Sequence, residues 1–152
     1  MIDRKAYNSI SYSISIVGSL QDGKYRGCVV NSLQQLTSSS PAKFAVTLNK
    51  YNLTEAAVEQ TGAFCATVAA ADCPHDIINL FGYKSGRITD KFAAYDTKTD
   101  DAGCPYITDG MCARLSFRVV QQGDLDSAVL FIAEVTEAEI LKDGGALTVD
   151  AF

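Results

Sequence analysis

The segment SISYSISIVGSLQDGKYRGCVVNSLQQL, residues 9–36, carries the pattern from which the fold is read. Ile10, Tyr12, Ile14 and Ile16 alternate with Ser9, Ser11, Ser13 and Ser15, and a period of two predicts a half-buried strand with its apolar set on one face. Asp22-Gly23 supplies a hairpin turn, since this pair tolerates the positive φ that two-residue turns require. YRGCVVNSLQQL resumes as a second strand, in which Gly27 marks a bulge or a close approach of backbone.

Working outward, KFAVTL reads as a third strand, apolar enough to be buried on both faces. NLTEAAVEQTG predicts a helix, with Asn52 as cap, Glu55 as its reciprocal partner three residues on, and Gly62 as terminator. AFCATVAAA is a fourth strand. In DCPHDIINLFG a second helix is capped by Asp72 or Cys73, carries Pro74 and His75 in its first turn, and ends at Gly82. YKSGRITDKFAAYDTKTDDAGCPY lacks periodicity and reads as a surface excursion. MCARLSFRVVQQ and AVLFIAEVTEAEIL, joined by GDLDS, are two long strands. The fold class expected is mainly β: six to seven antiparallel strands in a closed or nearly closed barrel with two or three short helices, one domain over residues 1–152.

Composition agrees with an ordinary globular domain. The 152 residues are 47% apolar and 20% charged, and the chain is long enough to bury a core. A formal charge of −5, without a Lys/Arg cluster, argues against nucleic acid as a partner. No apolar run reaches the ~20 residues of a membrane span, and MIDRKAYNSI lacks the apolar centre of a signal peptide, so a cytoplasmic location is expected. The five cysteines form no CxxC pair and the single His75 is close only to Cys73, which leaves no zinc pattern; Cys28, Cys65 and Cys112 read as reduced packing residues.

The usual catalytic signatures are missing. There is no GxGxxG after the first strand, no Walker A loop, no HExxH and no GxSxG. Neutral hydrogen-bonding groups gather instead between Asn31 and Thr54. Thr37, Ser38, Ser39 and Ser40 form a hydroxyl-rich loop that is either a plain polar turn or one side of a ligand cradle. Asn49, Lys50, Asn52 and Thr54 open the first helix, where free N–H groups and a lysine suit a phosphate, and where Asn52 and Thr54 also serve as simple caps. Asn31 and Ser32 interrupt an apolar strand, either at an exposed edge or against the polar rim of a heterocycle. The two turns flanking KFAVTL are expected to converge at one end of the barrel. Phe81 and Phe92 are core anchors with Lys84, Arg87 and Lys91 on a solvated face, or they belong to a lid that brings cations to a cofactor.

The order GCVVNSLQQLTSSSP, AVTLNKYNLT, GAFCATVAA and INLFGYKSGRITDKF resembles the flavin reductase-like family of FMN-binding split barrels, from about Tyr12 to Thr148. It is most similar to the short ferric or rubredoxin-coupled members. The resemblance implies a Greek-key split barrel that forms a homodimer and holds FMN, with FAD possible, near the subunit interface. By position, Val30, Asn31 and Ser32, with the turn through Thr37, Ser38 and Ser39, would meet the ring and ribityl chain. Asn49, Lys50, Asn52 and Thr54 would face the phosphate, and Ser85, Gly86, Arg87 and Phe92 would lie by the flavin and nicotinamide. The implied activity is an NAD(P)H-dependent flavin or ferric reductase passing electrons to a small acceptor such as a rubredoxin-like protein. The alternative is an FMN electron carrier without its own NAD(P)H site. Two departures stand out: Pro41-Ala42 where two prolines are common, and Ser13 where glycine is frequent.

Overall fold

The computed structural model describes residues 1–85 and 90–149. After a 3₁₀ turn at Arg4–Ser9 come β1 (Ser15–Gln21), β2 (Lys24–Val30), β3 (Gln34–Gln35) and β4 (Lys43–Asn49). Next are α1 (Leu53–Thr61), β5 (Ala63–Ala69), α2 (His75–Tyr83) and a 3₁₀ turn at Lys91–Ala94. β6 (Lys98–Thr99), β7 (Pro105–Tyr106), β8 (Met111–Asp124) and β9 (Ala128–Ile140) complete the order. Seven strands form one antiparallel sheet in the order β2-β1-β5-β8-β9-β4-β3, and β6-β7 is a separate small ribbon. The expected mainly-β class and antiparallel sheet are what the chain adopts.

Curvature comes from the long β8–β9 hairpin, whose register shifts at Ser116/Phe117 and Val119/Gln121. Bulges of this kind bend and twist a strand pair, wrapping the sheet on itself. The seam between β2 and β4 is bridged by Ser32, whose hydroxyl donates to the Thr47 carbonyl at 3.2 Å and accepts from the Thr47 N–H at 3.1 Å. Inside lies one core cluster, including Val17, Val46, Phe64, Phe117 and Phe131. A second cluster, with Ile14, Ile16, Ile77, Phe81, Phe92 and Ile107, packs α2 and the Lys91–Ala94 turn against the outer side of β1. Gly27 is the close approach anticipated: a Cβ there would meet the Phe92 ring at 2.8 Å, while the β1–β2 register runs unbroken without a bulge.

Several local expectations are corrected. The alternation from Ile10 is not one half-buried strand; β1 starts at Ser15, Ile10 is 60% exposed, and Ser15 and Ser19 are fully buried. A strand in the middle of this sheet has protein on both faces, so its serines are covered too. The second strand breaks after Val30, because β2 pairs with β1 whereas Gln34–Gln35 crosses the split to pair with β4. β4 is buried on one face only, through Val46 and Leu48. In α2, Pro74 occupies the cap position with no side-chain hydrogen bond, and Gly82 lies inside the helix. All five cysteines are free and buried. No helix among the described residues is long and apolar enough to cross a membrane.

Helix α1 is capped by Asn52, which accepts from Thr54 N–H at 2.9 Å, and closed by Gly62 in the left-handed region. The reciprocal Glu55 bond is absent. Glu55 is 4% exposed and hydrogen-bonds Glu59, and burial, then that neighbour, pushes its carboxyl up to about 7. Glu59 is held below the ordinary value by the Glu55 bond and by Gln122, which donates to it at 2.8 Å. Between the ordinary value of 4.5 and about 7 the folded chain therefore holds a proton at Glu55 that the unfolded chain has released. Stability contributed by that proton is present at low pH and is lost as pH rises through 7. Glu55→Gln is expected to flatten this decline and stabilise the fold at pH 8 by about 1–2 kcal/mol, checked by urea unfolding across pH.

Candidate functional site

The ends of β2 and β4 and the side of α2 enclose a cleft of about 400 Å³. Its apolar wall is Cys28, Val29, Val30, Leu48 and Ile78; its polar edge is Asn31, Ser32, Thr47, Asn49 and Asn52; Gly82 and Tyr83 stand at the mouth. The Ser32–Thr47 bonds hold the two strand ends together here, so the polar edge is fixed by the same contacts that close the barrel. Cys28 is 4% exposed, and burial raises its thiol to about 11, against the lowering effect of hydrogen bonds from Thr54 and Asn52. At neutral pH it is an uncharged wall residue and no nucleophile.

Beyond Asn52 and Gly82, which border both spaces, lies a smaller hollow of about 180 Å³. Leu53 at the α1 N-terminus, Tyr51, Lys84, Ser85 and Lys91 line it. A helix N-terminus beside two lysines makes an electropositive end to an otherwise neutral cleft. Among the described residues no group of His, Cys, Asp and Glu has metal-binding geometry.

The structure brings together Val30, Asn31, Ser32, Asn49 and Asn52 of the residues singled out in the sequence, and Ser85 borders the adjoining hollow. Others lie elsewhere in this chain. Thr37, Ser38 and Ser39 sit at the start of β4, where Thr37 and Ser39 bond each other at 2.9 Å and Lys43 N–H donates to Thr37 at 3.0 Å. β4 has seven residues, and the six steps from Lys43 to Asn49 set this turn about 20 Å from the Asn49 end of the cleft. The expected convergence of the two turns fails for that reason: one strand carries the chain away and does not return it.

Lys50 faces another concavity with Glu55 and Glu59, and its ammonium is paired with Asp124. Thr54 is 1% exposed behind Cys28. Phe92 is a core residue, edge-on to Phe81 at 4.9 Å between centroids and 3% exposed. Gly86 and Arg87 lie outside the described residues.

Sequence reading missed Lys91, assigned to a solvated face, and Gly82, assigned as a terminator. Lys91 is 7% exposed. Its signal was present in DKF, where a lysine precedes an aromatic anchor in a two-residue step, but nothing local distinguishes an inward lysine from an outward one.

A family model described as the flavin reductase like domain matches residues 7–150. A ferric-chelate reductase (NAD(P)H) of Archaeoglobus fulgidus is 37% identical over 147 residues, covering 97% of this chain and 86% of that protein. A high molecular weight rubredoxin of Moorella thermoacetica is 35% identical, covering 97% of this chain but 64% of its own length. Among solved structures, a Streptomyces globisporus NADH:FAD oxidoreductase in complex with NAD and FAD fragments superposes with a TM-score of 0.82 at 18% identity, over 97% of this chain and 90% of that one. With a cleft at the open seam of an antiparallel barrel, and a family match spanning nearly all of its length, this chain belongs to the flavin reductase-like domain family.

Proposed function

We propose that the domain binds FMN in the cleft and acts as an NAD(P)H-dependent flavin or ferric reductase. The observation that carries this is the pairing, in one space of about 400 Å³, of an apolar wall with a row of amide and hydroxyl groups. A planar ring that is apolar on its faces and polar along its edge fits such a surface, and the volume is in the range of small-molecule sites. Val29, Val30, Leu48 and Ile78 would cover the ring, while Asn31, Asn49 and Asn52 would meet its carbonyl and N–H edge.

Bound there, the flavin supplies the redox chemistry, accepting a hydride from nicotinamide and passing electrons on. The chain's own residues orient and shield it. Ser32 holds the strand ends at a set separation, Gly82 leaves room above the wall, and the uncharged Cys28 places no anion against the ring. Tyr83, 77% exposed at the mouth, offers an aromatic surface to an incoming nucleotide. No side chain has to move a proton. A ferric chelate and a rubredoxin-like protein are the acceptor classes suggested by the names of the two relatives. Exposed Leu36 and Val120 suit a homodimer, and five unpaired thiols suit the reducing cytoplasm.

Anaerobic mixing of the FMN-loaded protein with NADH, and separately NADPH, tests the activity. The flavin absorbance is expected to bleach within seconds with one of them. No bleaching over minutes, with rapid reduction by a partner protein instead, would identify an electron carrier.

A further inference from the structure

A groove of about 270 Å³ joins the cleft at Asn31 and Ser32, whereas the electropositive hollow joins it at Asn52 and Gly82. One wall is residues 10–13, ahead of β1. The other is residues 31–34, where the chain leaves β2 and crosses the split to β3. Both walls are pinned. The Tyr12 carbonyl accepts from the Val149 N–H at 2.9 Å and the Ile14 N–H donates to the Leu147 carbonyl at 3.0 Å, while Ser32 is tied to Thr47.

Ile10, Tyr12 and Leu33 give this groove apolar surface, and Ser11, Ser13 and Gln34 bring hydroxyl and amide groups to it. Among the described residues its lining carries no charge, and those three polar side chains make no hydrogen bond within the protein. The missing charge decides the ligand class. A dinucleotide brings a diphosphate and a ferric chelate brings carboxylates, and either would give up water here without gaining a cation. A neutral ring with hydrogen-bond-accepting oxygens suits the lining: the apolar side chains cover its faces, and hydroxyl and amide donors meet its oxygens. The groove is smaller than a typical drug-sized site, which favours a one-ring ligand. Because Asn31 and Ser32 border both spaces, such a ring lies beside whatever occupies the cleft.

We propose that this groove binds a neutral quinone, which gives the domain a quinone reductase activity in addition to flavin or ferric reduction. The reduction balances as one hydride equivalent from NAD(P)H and one proton from water. Both quinone carbonyls become hydroxyls, and NAD(P)H leaves as NAD(P)⁺. The turnover rests on the flavin cleft proposed above; the binding does not, so the two are tested apart.

Binding is measured on the flavin-free protein by saturation-transfer NMR, following the methyl signal of duroquinone, whose fully substituted ring cannot add a thiol. The wild type is expected to bind with a Kd below about 1 mM. Ile10 is 60% exposed and lies ahead of β1, so Ile10→Asp leaves the fold intact. It is expected to weaken binding about tenfold, through loss of apolar contact with the ring. Gln34→Glu, at a second exposed position, replaces an amide donor with an anion and is expected to weaken it by about fivefold or more. No binding by the wild type, or equal binding by both variants, overturns the proposal. So does a loss of binding in Ile10→Asp that accompanies dissociation of a dimer in sedimentation, which would identify the groove as a contact between two copies.

Turnover is then measured on the FMN-loaded protein with NADH and duroquinone. In Ile10→Asp kcat/KM for duroquinone is expected to fall about tenfold, while bleaching of the flavin by NADH and reduction of ferric citrate stay within about twofold. Quinone binding without its reduction, in a protein whose flavin NADH does bleach, overturns the activity. A protein that binds duroquinone but takes up no FMN removes the flavin reading instead, and with it the turnover, while the quinone site stands.

Discussion

Gly82→Phe is expected to abolish flavin binding while leaving the fold intact. Gly82 lies within α2 and borders both the cleft and the hollow. A Cβ placed there meets only Val29, at 3.4 Å, an ordinary contact, so the backbone tolerates a side chain. Replacing glycine inside a helix also recovers some of the ~1 kcal/mol that glycine costs there. A phenyl ring from this position occupies the space assigned to the isoalloxazine. Affinity for FMN is expected to fall at least about 100-fold, equivalent to about 2.7 kcal/mol. The thermal midpoint should stay within about 2 °C of wild type or rise. The purified variant should be colourless and should not quench added FMN. Wild-type affinity in a folded Gly82→Phe protein would place the flavin elsewhere.

Gly18→Ala is expected to have the largest effect on stability of any single methyl group added to this chain. Gly18 lies on β1, and its Cβ would sit well inside van der Waals contact of the Pro105 carbonyl oxygen on β7. Backbone on both sides cannot yield as a flexible side chain does. The β6–β7 segment is further pinned by Asp100, which accepts from the Cys104 N–H at 2.9 Å and from the Ser116 hydroxyl at 2.6 Å. Arg114 donates to Ser116 at 3.0 Å and stacks over Tyr106 at 4.7 Å, so the ribbon cannot simply lift away. A cost of about 3 kcal/mol is expected, the upper end of overpacking penalties, with the midpoint falling by about 6–12 °C. Calorimetry checks this. A shift under 2 °C would mean that β7 is free to move and that the second core cluster does not depend on it.

The contrast between Lys50 and Lys91 shows how far this site was legible before the fold. In the sequence, Lys50 stands among Asn49, Asn52 and Thr54 at a helix start, and Lys91 stands in a polar excursion between two aromatics. Local pattern favours the first as a phosphate ligand. In the folded chain Asp124, 74 positions later, engages Lys50, while Gly27 and Phe81 draw Lys91 inward. Asn52 was read correctly as a cap because capping involves only residues two apart. Glu55 was misassigned because its partner preference is set by burial under neighbouring elements.

What the sequence determined by itself was the class of the fold and its local punctuation: alternating and apolar segments made the strands, Asp22-Gly23 the first hairpin, Asn52 and Gly62 the ends of α1. These depend on interactions within a few residues, and their signals survive without tertiary context. The tertiary structure alone decided where the strands split, with β2 and β3 pairing on opposite edges, and so which polar groups face one another across the cleft. It also decided which lysine is buried. Both follow from packing between segments far apart in the chain, where the free energy of a charge or a hydroxyl depends on what surrounds it and not on its neighbours in sequence.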